Sequence, residues 1–482
     1  MAHLSSPTTT KRAARILEWA ERIAPVRASW REKASGFYEE DYKYMRFLVP
    51  EGRRVLELGC GDGALLRALK PAHGVGVDFS PAMVDLAKEG APEFEFILGD
   101  ISNPATYESI EGEFDFIILS DTIGFLDDCE ETLRLIHRIA TRETRIIISY
   151  YSRFWEPILK TAEMAGLRMK QVDQNWLSTG EIENLLELAD FEVIKREWRQ
   201  LIPAKLFGLG SLINRFLVPI PMLRRACLRN YVVARPSLDC ALDNPSVTVL
   251  VPCRNERGNV EEIVKRIPRF CDDIEILFVE GHSQDGTLDE INRVIAAYPE
   301  YDIKALVQDG KGKGDAVRKG FNAARGDLLM ILDADMTMPP EALPKFYRAL
   351  VSGKGEFING SRLVYPMEEE AMRFLNHLAN VAFSVLFTWL LNQRFTDTLC
   401  GTKCLSRHHY QRIANDRAYF GDFDPFGDFD LIFGASKANL KVIEIPIRYA
   451  ARTYGTTQIS RFRHGWLLLK MVVVAFRRLK AF

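Results

Sequence analysis

No repeat and no low-complexity tract interrupts these 482 residues, which excludes fibrous, solenoid and largely disordered architectures. Cysteine is sparse. Eight thiols are scattered, and the closest pair, Cys400 and Cys404, has no second Cys or His pair at a zinc-like spacing, so they read as reduced core residues. Net charge is nearly absent, at -2, so the average announces no polyanionic partner, and no nucleic acid is expected. No signal-peptide core is visible: Met1 to Thr10 is polar, and "KRAARILEWAERIA" is an amphipathic helix, so a cytoplasmic location is expected. Long apolar runs are missing as well. "HLANVAFSVLFTWLL", 377 to 391, is broken by Asn380 and falls short of the roughly 20 residues needed to span a bilayer. Acid is absent from Ile445 to Phe482, where Arg448, Arg452, Arg461, Arg463, Lys470, Arg477, Arg478 and Lys480 stand.

What is present is ordinary globular composition, 47% hydrophobic and 27% charged, in a chain too long for one core. Short apolar runs ending in Gly or Asp alternate with helical patterns, the signature of parallel βαβ units, and this happens twice. The first series is "RRVLELG" (53–59), "GVGVD" (74–78), "FEFILGD" (94–100), "FDFIILSD" (114–121) and "TRIIISYY" (144–151). "FEVIKREW" and "NYVVAR" follow as its last strands. The second series is "SVTVLVP" (246–252), "EILFVEG" (275–281), "IKALVQDG" (303–310) and "DLLMILDAD" (327–335). The expected fold class is therefore α/β, with two doubly wound domains. The boundaries are an N-terminal helical segment (1–50), a first domain (51–235), a linker (236–245), a second domain (246–460) and a basic amphipathic C-terminal helix (461–482).

In the first half, "LELGCGDGALL" puts Gly59, Gly61 and Gly63 where a strand turns into a helix, so the backbone can approach a ligand and free amides face it. Asp78 ends the next strand, where a carboxylate can accept both hydroxyls of a ribose. By spacing alone this loop could equally hold NAD or be a structural turn. "VLELGCGDG", "GVGVDFSPAMVDLAK", "LGD" (98–100) and "FDFIILSD" resemble, in order, the motifs of class I S-adenosylmethionine-dependent methyltransferases. The resemblance implies S-adenosylmethionine as cofactor, with Gly59, Gly61 and Gly63 at the methionine moiety, Asp78 at the ribose and Asp100 near the adenine. Glu57 would contact the methionine end through water. Methyl transfer from a sulfonium needs in-line positioning more than a base, so the acceptor stays unnamed. His137, mid-helix in "TLRLIHRIA", reads as a packed or solvated histidine.

In the second half, Asp333 and Asp335 stand one residue apart past a strand end, which suits a hard cation bridging a diphosphate; a helix cap is the alternative. "VPCRNERGNV", "VEGHSQDGT", "GKGDAVRKGFNAARGDLLMILDADM" and "DTLCGTKCLSR" resemble the successive motifs of inverting family 2 glycosyltransferases, most closely a dolichyl-phosphate mannosyltransferase-like branch. The resemblance implies a nucleotide sugar held by Pro252, Asn255, Glu256, Glu280, Asp309, Lys313 and Asp333. It also implies Mg2+ or Mn2+ on Asp335 with Asp333, and acceptor phosphate on Arg452. Two positions depart from that pattern: Glu280-Gly281-His282-Ser283 lacks the second acid of the family's Asp-Asp-Gly-Ser, and Gln458 replaces a lysine of its Arg-x-x-Gly-x-x-Lys segment.

A polyprenyl-phosphate acceptor would already be anionic, its second pKa being about 6, and would need no base. A sugar or small-molecule hydroxyl would need one, and "FGDFDPFGDFDLIF" offers Asp428 and Asp430. "RFRHGWLLLKMVVVAFRRLK" (461–480), apolar with Trp466 between basic clusters, suits a helix lying in the headgroup region at the inner membrane face; packing inside the domain or in a homo-oligomer is the alternative. The expectation is a bifunctional transferase, its rivals a hydroxyl acceptor with methylation of the same glycan, or a non-catalytic nucleotide-binding scaffold.

Overall fold

The computed structural model describes residues 10–481 apart from 173, 205, 239, 366–373, 421–426, 428, 451, 453 and 455–460, and the backbone alone of 206, 374–379 and 461–465. Internal contacts divide the chain into two compact units, Met1–Leu238 and Asp239–Phe482.

The first unit is built on strands β1 (Arg54–Leu58), β2 (His73–Asp78), β3 (Glu95–Leu98), β4 (Phe116–Ser120), β5 (Arg145–Tyr151), β6 (Phe191–Arg199) and β7 (Arg229–Pro236). Their order is β3-β2-β1-β4-β5-β7-β6. Helices cover the sheet, so its central strands read as continuous apolar runs: Ile117, Ile118 and Leu119 of β4 and Ile146, Ile147 and Ile148 of β5 are fully buried. Two helices, Lys11–Lys33 and Ser35–Leu48, belong to this unit. Thr10 caps the first by accepting from Ala13 N at 3.0 Å, and its Trp19, Ala20, Ile23 and Ala24 pack against Met83.

The second unit carries β8 (Val247–Cys253), β9 (Ile274–Glu280), β10 (Asp302–Val307), β11 (Leu328–Ile331), β12 (Phe357–Ser361), β13 (Lys403–Ser406) and β14 (Val442–Pro446), ordered β10-β9-β8-β11-β13-β12-β14. In both units the order reverses beside the first strand. That reversal, past the carboxyl ends of the strands, is where open α/β sheets receive ligands.

Both sheets are mixed where the alternating runs predict parallel pairing. β7 runs antiparallel to β5 and β6, and β13 antiparallel to β11 and β12. The apolar series also misses β12, β13 and β14, which are short: β12 holds a glycine, β13 opens on a lysine and β14 ends in proline. Residues expected in strands lie beyond them: β10 stops at Val307, before Asp309, and β11 at Ile331, before Asp333. Of the segment 236–245, Pro236 completes β7 and Leu242 donates to Val351 O at 2.8 Å. The C-terminal helix is α-helical over Arg461–Ala475 and then closes in a π-helical turn, Phe476–Lys480. Among the described residues, no helix is long and apolar enough to cross a membrane.

Candidate functional site

In the first unit the loop after β1 turns through three left-handed glycines, Gly59 (φ +81°), Gly61 (φ +52°) and Gly63 (φ +68°). Side chains could not replace them. A Cβ at Gly59 would overlap the Thr122 side chain, and one at Gly63 would lie 2.8 Å from the Phe96 ring. Asp78, at the end of β2, holds the loop: it accepts from Gly61 N at 2.7 Å and from Ser80 N at 3.0 Å. Burial raises the Asp78 pKa, and these amides oppose the shift. Asp62 inside the loop pairs with Arg31 and lies 3.5 Å from Arg27; these guanidiniums outweigh burial and keep its carboxyl below the usual range.

Glu57 interrupts the apolar residues that follow Arg54 in β1. It is buried, its Oε2 has no hydrogen-bond partner, and burial pushes its pKa well up. An orphaned buried carboxylate oxygen beside a glycine cradle is a fit for a cationic group such as the methionine end of S-adenosylmethionine. Asp100 is exposed and accepts from Ser102 N at 2.8 Å.

Past β4 lies a cluster that motif reading did not assign. Asp121 is left-handed (φ +59°), an uncommon state for a residue with a side chain, and such strain gathers at functional sites. Its Oδ1 accepts from Arg229, the first residue of β7, and Oδ2 makes no hydrogen bond among the described residues. Arg229 is itself buried and fixed by Asp41 at 2.8 Å, Ser149 Oγ at 3.1 Å and Ser120 Oγ at 3.3 Å, while Tyr231 donates its hydroxyl to Asp41. Burial raises the Asp121 pKa against the pull of Arg229. A cavity opens beside it, lined by Asp121, Tyr150, Tyr151, Gln174, Asn175 and Trp176 among others. The next residue, Thr122, donates to Leu58 O at 2.9 Å and packs on Gly59, so cavity and glycine loop adjoin. His137 is packed away from both, stacked on Phe191 with ring centroids 4.2 Å apart.

In the second unit β8 and β11 deliver the acids. Glu256 follows β8, and Asp335 follows β11. Arg452 lies across them, donating Nη1 to Glu256 Oε1 at 3.1 Å and Nη2 to Asp335 Oδ2 at 2.7 Å. Thr337 holds the other Asp335 oxygen through its amide (3.1 Å) and hydroxyl (2.8 Å). Burial raises the Glu256 pKa, with Arg452 opposing. Asp333 pairs with Lys313 Nζ at 2.7 Å; burial works against its charge, but Lys313, Lys403 and Arg362 outweigh it and lower the pKa. Gly401 makes room for that pair, because a Cβ there would overlap both Asp333 Oδ2 and Lys313 Nζ.

The remaining sequence candidates divide. Asn255 (φ +57°) donates its amide to Ser283 Oγ at 2.9 Å, and Pro252 sits half-buried at the end of β8. Glu280 accepts from the amides of His282 and Ser283, so both its oxygens are engaged in holding that loop. Asp309 is exposed and bound to Lys319 at 2.6 Å. Arg452, expected at an acceptor phosphate, pairs with two carboxylates, Glu256 and Asp335. Asp430 is ion-paired with Arg417 at 2.6 Å. Asp428 and Gln458 lie outside the described residues. Asp333 and Asp335 offer carboxylate oxygens alone, and Asp335 with Glu256 already draws a positive group, so the donor set fits magnesium or manganese.

The family model for a methyltransferase domain matches residues 30–196, and that for glycosyl transferase family 2 matches residues 248–418. The dolichol-phosphate mannosyltransferase of Pyrococcus furiosus is 28% identical over 235 residues, covering 46% of this chain and 64% of that protein. The undecaprenyl-phosphate 4-deoxy-4-formamido-L-arabinose transferase of Aeromonas hydrophila is 30% identical over 111 residues, covering 22% and 34%. The chain thus spans less than two thirds of these relatives' length. A crystal structure of a SAM-dependent methyltransferase from Thermotoga maritima aligns with 46% of this chain and 99% of that one, at 20% identity and a TM-score of 0.36. Motifs, sheet order and family matches agree that the chain joins a methyltransferase domain to a glycosyl transferase family 2 domain.

Proposed function

We propose that the second unit transfers a sugar from a nucleotide sugar to a polyprenyl phosphate with inversion, and that the first transfers a methyl group from S-adenosylmethionine. The observation that carries the first part is the charge arrangement past β8 and β11: Asp333 against Lys313, and Asp335 with Glu256 around Arg452. When a nucleoside diphosphate leaves a sugar, negative charge develops on the departing phosphate, and stabilising it is the main task of the site. Asp335 with Asp333 would hold a divalent ion, which when bound supplies Lewis-acid neutralisation of that charge. Lys313 and Arg452 place two further positive groups beside it. The names of the two relatives support a lipid-linked phosphate as acceptor. So does the Arg417 pair, which engages Asp430, the carboxylate a hydroxyl acceptor would recruit as base. Transfer to a short polyprenyl phosphate, assayed across a panel of nucleotide sugars with Mn2+ and read by mass spectrometry, is expected to give one glycosyl phospholipid. Transfer to a sugar hydroxyl instead, abolished by Asp430→Asn, overturns this acceptor.

In the first unit, S-adenosylmethionine when bound supplies an electrophilic methyl group. Asp78 and the glycine loop would hold its ribose and methionine ends, and Glu57 its positive charge. The methyl acceptor enters the cavity beside Asp121, whose Oδ2 is placed to take a proton from an acceptor hydroxyl or amine. Asp121→Asn is expected to lower methyl-transfer kcat by about 10²-fold. Affinity for S-adenosylmethionine, measured by calorimetry, should stay within a few-fold of wild type; equal kcat values would remove Asp121 from the chemistry.

The enzyme works at a membrane face as a peripheral protein. Trp466, Leu469 and Val473 follow i, i+3, i+7 on the C-terminal helix and all face outward, with Lys470, Arg477 and Arg478 exposed beside them. That pattern suits a helix in the headgroup layer.

A further inference from the structure

The helix Leu209–Phe216 of the first unit is turned inside out. Its buried residues are Gly210 and Asn214, and Asn214 bonds both backbone groups of residue 202, donating to Ile202 O at 2.8 Å and accepting from Ile202 N at 3.0 Å. Of its apolar residues, Leu209, Leu212 and Phe216 point outward, 55%, 56% and 48% exposed, and Ile213 is half-buried. A helix resting on a water-soluble core does the reverse, burying the apolar stripe and exposing the amide. The two Asn214 hydrogen bonds fix this orientation. Rotation about the helix axis in either direction would break both bonds and strip the N–H and C=O of residue 202 of these partners. The outward face continues beyond the helix through exposed Phe207, Leu217 and Met222. Contiguous apolar exposure of this kind marks an interaction site.

Charge identifies the partner. From Leu201 to Leu238 there is no Asp or Glu, while Arg215, Arg224 and Arg225 stand in the same stretch. Arg215 and Arg225 are exposed, and the Arg215 guanidinium lies 5.6 Å from the Phe216 ring centre. An apolar ridge with a cationic fringe and no acid is complementary to an anionic lipid surface. The Leu and Phe side chains enter the acyl boundary, and the guanidiniums stay among the phosphates. At eight residues the helix is too short to be stable as a free peptide, so the folded unit presents it ready-made.

We propose that this face docks the methyltransferase unit on an anionic bilayer, lying in the headgroup plane. The contact is separate from the C-terminal helix and does not depend on which acceptor the second unit glycosylates.

The test uses the full chain and vesicles of phosphatidylcholine mixed with phosphatidylglycerol, with no polyprenyl phosphate added. L212E/F216E is expected to lower the vesicle partition coefficient by at least about tenfold while the thermal melting curve stays in place, since both side chains are exposed. R215Q/R225Q, which keeps the apolar ridge, is expected to weaken binding several-fold on mixed vesicles and to change nothing on pure phosphatidylcholine. Wild-type partition in L212E/F216E overturns the proposal. So does a chain that is dimeric without vesicles and becomes monomeric in L212E/F216E, because a second copy then covers the face. W466E/V473E reports on the C-terminal helix alone, so loss or survival of that contact is read independently.

Discussion

Asp335→Asn is expected to lower kcat for sugar transfer by about 10³-fold, the scale at which removing one well-placed charge from a transition-state site is felt. The substitution keeps the shape of the side chain, and the amide oxygen can still accept from Thr337 N, which now lies 3.1 Å from Asp335 Oδ1. What it removes is the negative charge opposite Arg452 and one of the two anionic oxygens available to a divalent ion. Stability should change little, because the Arg452–Asp335 pair is partly exposed, and such pairs contribute about 0–1 kcal/mol. The gain in nucleoside-diphosphate affinity on adding Mn2+, followed by calorimetry, should disappear in the variant, while S-adenosylmethionine binding by the first unit stays as in wild type. Turnover within a few-fold of wild type at saturating substrate would remove this carboxylate from the chemistry.

Arg229→Met is expected to have the largest effect on folding. The guanidinium is buried against Asp41, which is buried too, and against Asp121. Deleting one partner of a buried pair leaves an uncompensated charge and costs about 3–5 kcal/mol. For a unit of this size that is a fall of about 10 °C in its melting transition. Asp41→Asn in the same background should recover part of the loss, since the stranded charge goes with it. A shift below about 2 °C would mean that water reaches Asp41 and that the pair is not a structural keystone.

Much of this arrangement is visible in the primary structure, and the reason is local. Buried parallel strands are apolar along their length, so β1, β2, β4, β5, β8 and β9 announce themselves, and residues just past them are marked by position. Asp78, Asp333 and Asp335 were findable that way, and so was the glycine loop. Asp121 closes the quoted run "FDFIILSD", yet its part in a cavity depends on Arg229 and, through it, on Asp41, 188 positions from Arg229. No periodicity encodes such a pairing. Arg452 shows the same limit: no spacing announces that the fold brings it to Glu256, 196 positions away. Amphipathicity is equally silent about sign. "LGSLINRF" shows an apolar stripe, but only the bonds of Asn214 to residue 202 reveal that the stripe faces out.

The direction of β7 decides more than sheet topology. Because it runs against β5, its opening residue, Arg229, stands opposite Tyr151, at the rim where β4 and β5 finish. Eight residues of strand extend about 26 Å, so the same segment threaded the other way would carry its arginine to the far rim. Strand polarity here acts as an address: reversing one arrow would leave the hydrophobic interior nearly intact and the cavity beside Asp121 without its anchor.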